Sequence, residues 1–353
     1  MMKFQRVREE ESEMNATTFS VDLASKVFQV HGYDRQQQRV SKQRLSRARF
    51  QSWCEGLPAG TRVAMEATGS AHHWGRVLQA RGVRVKLLPP QHVKAMLIGN
   101  KTDANDADAI FEASLRPKVR PVPVKSAEQQ AILAEHRRRE GLIRDRTRTV
   151  NQIRGMLREF GILIAARNGP FRRQVCAVLE DAGNGLPWRL RTLLAEARED
   201  LAHLDGQIDK VDARLHELAR QDPLCRRLQA IEGIGPITAT ALAASLDEGP
   251  RFTRSRQFAA SLGLVPREHS SGDQRRLGSI TKRGNGYLRY LLVHGARSVL
   301  RTIAHKTDPR SRWLQALQAR AGHNRTTVAL ANKNARIVWA VCHSGQPYRP
   351  ACA

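Results

Sequence analysis

The chain has 353 residues, of which 41% are hydrophobic, and Lys and Arg outnumber Asp and Glu by 59 to 33, giving a formal charge of +26. This length can fold as two or three domains, and the excess of positive charge predicts a polyanionic partner, with nucleic acid as the first choice. The sequence contains no run of roughly 18 apolar residues and no signal-peptide core, which argues against a membrane protein.

Residues 17–125 are predicted to form an α/β domain, after a charged and aperiodic leader over residues 1–16 that we expect to be disordered. Alternating or β-branched runs predict strands at 17–24, 26–33, 37–42, 61–68 and 83–89. Apolar residues at helical spacing predict helices at 45–57, 71–82, 91–98 and 103–115. The order β-β-β-α-β-α-β-α describes a mixed α/β sheet.

Residues 126–222 carry no strand signal and are predicted to be helical, with an apolar-periodic and basic segment at 127–162. A heptad pattern follows, with steps of four and three residues, at Leu190, Leu194, Ala197, Leu201, Leu204, Ile208, Val211, Leu215 and Leu218. This spacing predicts a coiled coil. It could close on 127–162 as an antiparallel hairpin within one chain or join two chains, and we favour a role in oligomerisation.

Residues 223–345 are predicted to form a mostly α-helical C-terminal domain, with a frayed tail at 346–353. In the segment "IEGIGPITATALAASL", Gly233 and Gly235 precede a helix, as in helix-hairpin-helix elements whose backbone amides contact a DNA phosphate. Gly-x-Gly turns also join ordinary helices, so the pattern allows both interpretations.

Residues 251–289 contain nine Lys or Arg and only two acids, a density that suits contacts with backbone phosphates. The alternative is a solvated basic face. The residues for which we expect phosphate contacts are Arg275, Arg276, Lys282, Arg283 and Arg289. Four glycines predict that this segment is loop-like: Gly272, Gly278, Gly284 and Gly286. Ser270 and Ser271 precede Gly272 there, and composition alone favours a turn over a nucleophile.

Four acids stand out in the N-terminal region of this basic chain. Asp22 lies in the apolar strand "FSVDLA", Glu66 ends the strand "VAME", and Asp103 and Asp106 are three residues apart on a predicted helix. Each has a plain alternative: a solvated strand edge for Asp22, a turn for Glu66, and helix capping by Thr102 or Asp103.

Considered together, the four acids have the layout of a ribonuclease-H-like site, with two acids from strands and two from a following helix. Carboxylates held so close would repel one another unless cations neutralise them. Mg²⁺ prefers oxygen ligands, and two ions about 3.5–4 Å apart can assist phosphodiester chemistry. Asp108 falls on another face of the helix, and we expect it to be exposed or of secondary importance.

These residues resemble a known family. The set Asp22, Glu66, Asp103 and Asp106, with "KTDANDADA" around the last two, is similar to the DEDD-type transposases of the insertion sequence 110 family. The stretches "IEGIGPITATALAASL", "FAASLGLVPREHSSGDQRRLGSITKRGNGYLRYLL" and "ANKNARIVWAV" resemble that family's second domain, especially in its insertion sequence 1111 branch. The resemblance covers nearly the whole chain after residue 16.

The resemblance implies an RNase H-like, RuvC-like N-terminal domain that uses Mg²⁺ and the four acids to cleave and rejoin DNA strands, thereby moving an insertion sequence. It implies a serine nucleophile directly before Gly, which maps to Ser271, with Ser270 and Ser279 as rivals, and a covalent phosphoserine intermediate. It also implies a noncoding RNA that bridges donor and target DNA, and a homo-oligomer, either a dimer or a tetramer assembled from dimers. Ser271 and the acids would then share one composite site.

Two other functions remain compatible with the residues themselves. One is a hydrolytic RuvC-type nuclease, such as a junction resolvase, which needs metal and water but no serine. The other is a non-catalytic protein that binds RNA or DNA. The five cysteines lack CxxC spacing, which argues against zinc and disulfides and fits a reducing cytoplasm, where the protein would associate with the nucleoid through DNA.

Overall fold

The computed structural model describes residues 16–100, 102–165, 168–246 and 252–349. Their contacts define two compact units, the first running up to Gln129 and the second beginning at Gln130. The greater part of the predicted leader and the last four residues of the predicted tail lie outside the described residues. Within the described ranges, every helix is too short or too polar to cross a membrane.

The first unit is built on a five-stranded mixed sheet. Its strands are β1 (Thr18–Leu23), β2 (Val27–Tyr33), β3 (Arg39–Ser46), β4 (Arg62–Glu66) and β5 (Arg84–Leu88). The spatial order is β3-β2-β1-β4-β5, with β1, β2 and β3 antiparallel and with β4 and β5 parallel to β1. The predicted third strand at 37–42 is longer than expected and continues to Ser46, because it pairs along the whole of β2.

Four helices follow these strands. They are α1 (Arg47–Gly56), α2 (Ala71–Gln79), α3 (Pro90–Lys94) and α4 (Asp103–Leu115). Side chains that accept hydrogen bonds from backbone amides begin two of them: Ser46 caps α1 and Thr102 caps α4. The helix that the sequence predicts at 91–98 is shorter in the structure, where it begins at Pro90 and ends at Lys94.

The two faces of the sheet bury different sets of residues. One face packs an aromatic cluster, in which Phe28 and Phe50 stack at 4.4 Å between ring centroids and Trp74 meets both edge-on. The opposite face receives α4, whose Ile110 and Ala113 pack against Ala64 of β4. Because side chains alternate along a strand, each strand contributes to both cores.

The second unit contains two long helices, α5 (Ala127–Glu159) and α7 (Trp188–Gln221), with α6 (Asn168–Glu180) between them in the chain. The long helices run antiparallel: Arg139 of α5 pairs with Asp212, and Arg146 pairs with Asp205. Eight of the nine predicted heptad residues pack in the apolar cores between these elements. Within one chain, the antiparallel arrangement is therefore the one observed; a role in oligomerisation stays a prediction.

The remaining helices of the second unit are α8 (Pro223–Gln229), α9 (Pro236–Ser245), α10 (Ser255–Ser261), α11 (Gly286–Leu300), the short 3₁₀ helix Ile303–His305, α12 (Pro309–Ala321) and α13 (His323–Ser344). Asp222, Asn285 and Asp308 cap α8, α11 and α12 with their side chains. The sequence predicts loops between α10 and α11, but the structure contains an antiparallel hairpin there, β6 (Pro266–Glu268) and β7 (Leu277–Ile280). These strands are too short and too exposed to give an apolar alternation.

Candidate active site

Asp22 and Glu66 lie at the carboxyl ends of two neighbouring parallel strands. In the register of β1 and β4, Val21 lies opposite Met65, so Asp22 and Glu66 follow at the next position of each strand. Residues in register point to the same face of a sheet. That face is the one that α4 covers, because Ala64, two residues before Glu66, packs in the core with α4. The two strand acids therefore face the helix that carries the other two.

Helix α4 begins with Asp103, and Asp106 lies one turn further on. The helix is capped by Thr102, whose Oγ1 accepts a hydrogen bond of 3.2 Å from the backbone amide of Asn105. Of the two capping candidates in the sequence, the structure uses Thr102, so the Asp103 carboxylate is not needed as the cap. Asp103 is exposed and Asp106 is half-buried. We call Asp22, Glu66, Asp103 and Asp106 the acid edge.

The charges of the acid edge act on one another. The pKa of Asp22 is raised to about 6, first by burial and then by the negative charges of Asp106, Asp103 and Glu66. Within the described residues, no three acidic, imidazole or thiol groups converge at metal-ligand distances. The strand register and the start of α4 nevertheless place the backbones of the four acids at one edge of the sheet. An all-oxygen donor set with surplus negative charge fits Mg²⁺.

Asp108 has partners that the sequence did not predict. Its carboxylate accepts hydrogen bonds from the Tyr33 hydroxyl at 2.8 Å and from Arg39 at 2.8 Å, and it lies 2.7 Å from Nδ1 of the fully buried His31. Tyr33 also stacks on Phe111 of α4. Asp108 is half-buried rather than fully exposed, because α4 turns this residue toward β2 and β3; that it is of secondary importance stays a prediction.

The Asp108 contacts also fix ionisation states. Burial alone would raise the pKa of Asp108, but the hydrogen bonds from Tyr33 and His31 hold it below its usual value. Burial lowers the pKa of His31, so its ring is neutral. Because Nε2 of His31 faces the Gln29 amide nitrogen at 3.1 Å, Nε2 accepts and Nδ1 donates to Asp108. The pairing joins residues 77 positions apart, which no local sequence pattern indicates.

Ser271 lies at the tip of the hairpin formed by residues 266–280, which we call the serine hairpin. The turn is tight: Ser271 and Gln274 form a bridge, and Gly272 adopts φ of +56°, which suits glycine. Ser271 is exposed. The neighbouring hydroxyl of Ser270 is engaged instead, because it donates to Glu268 at 2.9 Å and accepts from the Arg276 amide at 3.1 Å.

The five predicted phosphate-contact residues lie around this hairpin in two different situations. Arg275 and Arg276 on the serine hairpin, and Lys282 and Arg283 after it, have exposed side chains. Arg289 is half-buried and donates to the carbonyl oxygens of Leu262 at 2.8 Å and of Arg283 at 3.2 Å. Its guanidinium therefore fastens the loop before α11, and a phosphate contact from it stays a prediction.

The two glycines of the predicted helix-hairpin-helix element have different surroundings, one closely packed and the other open. Gly233 has φ of +88°, and a Cβ on it would come within 2.9 Å of the Gly295 carbonyl oxygen on α11. Gly235, at the start of α9, has open space around it. Gly233 is thus required for close packing on α11, whereas Gly235 leaves its surroundings free for a ligand. Phosphate binding by either residue stays a prediction.

Comparison with known proteins identifies similar sequences over nearly the whole chain. Residues 19–162 match a family of DEDD transposases of the IS110 type, and residues 225–312 match a family described as "Transposase IS116/IS110/IS902 family". A Pseudomonas aeruginosa protein named "Probable family 20 transposase" is 50% identical over 96% of this chain and all of its own. The transposase of insertion sequence element IS1111A from Coxiella burnetii is 42% identical, over 93% of this chain and 90% of its own. The IS1328 transposase of Yersinia enterocolitica is 35% identical, over 94% and 98%.

Proposed function

The chain belongs to the IS116/IS110/IS902 family of transposases, and from this membership we propose that it cleaves and rejoins DNA strands with the acid edge and Ser271. The observation that carries the proposal is the placement of acids from three distant segments at one edge of a sheet: Asp22 and Glu66 at strand ends, and Asp103 and Asp106 in the first turn of α4. Metal ions held by acids at such an edge could assist phosphoryl transfer.

We assign the first unit to the RNase H-like, RuvC-like fold. Support comes from the strand order β3-β2-β1-β4-β5, with an antiparallel meander followed by two parallel strands. Further support comes from the acids themselves, because Asp22 on the first strand and Glu66 on the fourth lie at carboxyl ends, where sites of α/β sheets are built.

The acid edge would hold divalent Mg²⁺, most simply as two ions. Support comes from the raised pKa of Asp22, which burial and three neighbouring carboxylates produce together. When bound, Mg²⁺ neutralises those charges and favours the deprotonated form of an attacking oxygen. The chain's own contribution is to position the four carboxylates, with Asp22 half-buried and Asp103 open to solvent.

Ser271 would act as the nucleophile. Its Oγ attacks the phosphorus of a DNA phosphodiester, so an Oγ–P bond forms, a P–O bond to the deoxyribose breaks, and the serine proton passes to a base. The sugar oxygen leaves with the electron pair of the broken bond and takes up a proton to become a hydroxyl. A hydroxyl of a second strand then attacks the phosphoserine, which releases the serine and rejoins the DNA. Exposure of Ser271 supports this role, and the Ser270 hydroxyl is less suited because Glu268 and Arg276 engage it.

The partners follow from the family and from charge. Donor and target DNA are the substrates, and we propose that a noncoding RNA bridges them in the cytoplasm, with the protein gripping phosphates rather than reading sequence. The net charge of +26 supports such polyanionic partners. We further propose a homo-oligomer, a dimer or tetramer, in which the acid edge and Ser271 of different chains complete one site.

A covalent-trapping experiment tests the nucleophile. Full-length protein is incubated with DNA carrying the element ends, with its adjacent noncoding RNA, and Mg²⁺, then denatured and resolved by size. We expect a protein–DNA adduct from the natural chain and from Ser270→Ala, and none from Ser271→Ala. An adduct of undiminished yield in Ser271→Ala would refute the assignment. Strand cleavage without any adduct would instead favour a hydrolytic RuvC-type nuclease, and binding without cleavage in Mg²⁺ or Mn²⁺ a non-catalytic binding protein.

A further inference from the structure

A groove in the second unit lies beside the base of the serine hairpin. It has a volume of about 750 Å³, and Pro266 and Ile280, which pair with each other across the two hairpin strands, form part of its wall. Helices α12 and α13 supply most of the rest, with Trp313 from α12 and residues such as Val328 from α13. We call it the Trp313 groove. Its size falls in the range of small-ligand sites, and its interior is mainly apolar.

The rim of the Trp313 groove is cationic. Arg325, Lys333 and Arg336 lie on α13 at spacings of eight and three residues, which places them along one side of the helix. Among the described residues, the lining contains no acid. Burial lowers the pKa of Lys333, and the positive charges of Arg310 and Arg336 lower it further. These cations repel one another, as the carboxylates of the acid edge do. An anionic occupant of the groove would relieve the repulsion.

Trp313 adds a stacking surface to this rim. Its side chain is 37% exposed although it is large and apolar, and the Lys333 ammonium lies 4.4 Å from its ring centroid. An exposed indole flanked by cations is the combination with which proteins hold unpaired nucleotides, because every base has a face that can stack and every nucleotide brings a phosphate. An apolar protein segment would use the interior but would leave the three cations unmatched.

We propose that the Trp313 groove binds an unpaired base of the DNA strand that the serine hairpin cleaves, with Arg325, Lys333 and Arg336 at the adjoining phosphates. The inference rests on the proposed function, which supplies the DNA strand. Ser271 is five residues from Pro266 along the hairpin, at most about 17 Å in an extended strand, which is a few nucleotides. A duplex cannot fill the groove, because its bases are stacked inside the helix, whereas a displaced base can enter.

Equilibrium binding without catalysis tests this inference separately from the proposed function. Fluorescence anisotropy in EDTA measures a labelled thymidine oligonucleotide of about 12 nucleotides, the same length of abasic backbone, and a matched duplex. The variants are Trp313→Ala and Trp313→Phe. The matched control is Trp188→Ala, because Trp188 is also exposed and also carries a cation, Arg189, over its ring.

We expect Trp313→Ala to bind the thymidine strand about 5- to 100-fold more weakly, with abasic backbone and duplex changed less than about twofold. Trp313→Phe should keep most of the affinity, and Trp188→Ala should match the natural chain. If Trp313→Ala unfolds, Arg336→Gln and Trp313→Phe are compared on the same three ligands. Weaker binding of both single-stranded ligands by Arg336→Gln supports the proposal. Equal affinities for all variants overturn it.

Four other outcomes of the binding experiment decide between the proposal and its alternatives. Equal loss for Trp313→Ala and Trp188→Ala, or loss only on duplex, overturns the proposal. Tighter binding of a uridine RNA strand than of the DNA strand assigns the groove to RNA and overturns the DNA assignment. A change of oligomeric state in Trp313→Ala, with DNA binding intact, assigns the groove to a second copy of the chain. Failure of the natural chain to bind any DNA would instead sink the proposed function itself.

Discussion

The acid edge and the serine hairpin solve opposite problems. The acids repel one another, so they stand on rigid elements: two strand ends in a buried sheet and the capped first turn of a helix packed on it. Ser271, the proposed nucleophile, stands at the tip of an exposed two-stranded hairpin, where a bulky substrate can reach it. The proposed metal-binding acids are thus carried by packed structure, and the proposed nucleophile is carried by exposed structure.

Both regions nevertheless share one electrostatic property, which is a grouping of charges of a single sign. At the acid edge, burial and then the neighbouring carboxylates raise the pKa of Asp22. In the Trp313 groove beside the serine hairpin, burial and then the positive charges of Arg310 and Arg336 lower the pKa of Lys333. We propose that cations complete the first region and that phosphates complete the second. A chain of charge +26 can therefore contain a local acidic site without contradiction.

Removing one charge from the acid edge should have the largest effect on activity. Asp106→Asn keeps the shape of the side chain but removes a charge, and we expect excision of the element to fall by about 10³-fold or more. Glu112→Gln is the matched control on the same helix, because the described partner of Glu112 is Arg116 and not an acid-edge residue. Excision is measured by quantifying the rejoined flanking DNA. Activity of Asp106→Asn within tenfold of the control would remove that residue from the site.

The contacts of Asp108 test whether the function of the acids depends on how α4 is held against the sheet. Asp108→Ala removes the bonds to His31, Tyr33 and Arg39, so we expect a loss of about 10- to 100-fold, together with a higher Mg²⁺ concentration for half-maximal activity. Asp108→Asn keeps two acceptor contacts and should recover part of the loss. The measurement is a Mg²⁺ titration of cleavage. An unchanged half-maximal concentration would mean that the contacts serve folding alone.

The sequence predicts the elements of the acid edge better than it predicts the serine hairpin. The helix 103–115 and the strand positions of Asp22 and Glu66 follow from apolar periodicity, because packed elements carry that pattern. The serine hairpin has no such pattern, since its short strands are almost fully exposed, and it was predicted as a loop. The Asp108 contacts depend on tertiary packing, which a local pattern does not encode.

The pH dependence of stability offers a test of the repulsion itself. Asp22 has a pKa of about 6 in the folded protein against 3.8 for the ordinary carboxyl, so the folded state binds the proton more tightly than the unfolded state. Its effect on stability is therefore neutral below about pH 4, grows unfavourable between pH 4 and 6, and stays unfavourable above that. Without Mg²⁺, Asp22→Asn should stabilise the fold at pH 8 by about 1–2 kcal/mol, discounted for partial exposure.

Urea unfolding in EDTA at pH 4, 6 and 8 measures this difference. The advantage of Asp22→Asn over the natural chain should be absent at pH 4 and largest at pH 8. Glu112→Gln, whose carboxylate is away from the acid edge, should show no such rise. A pH-independent difference for Asp22→Asn would mean that packing, not charge repulsion, sets its effect. Added Mg²⁺ should shrink the advantage, because bound cations relieve the repulsion in the natural chain.

The smallest expected effect concerns the cations beside the serine hairpin. Lys282→Gln/Arg283→Gln removes two exposed cations, and if both meet phosphates of a duplex, the slope of log affinity against log salt should become shallower by about 1.8. The matched control, Arg214→Gln/Arg220→Gln, removes the same charge from cations that already pair with Glu135 and Glu217. Net charge falls equally in both variants, so a general field effect would change both slopes alike. The two slopes differ only if residues 282 and 283 contact phosphates directly. Equal slopes would mean that the cations beside the serine hairpin are not a DNA-binding surface.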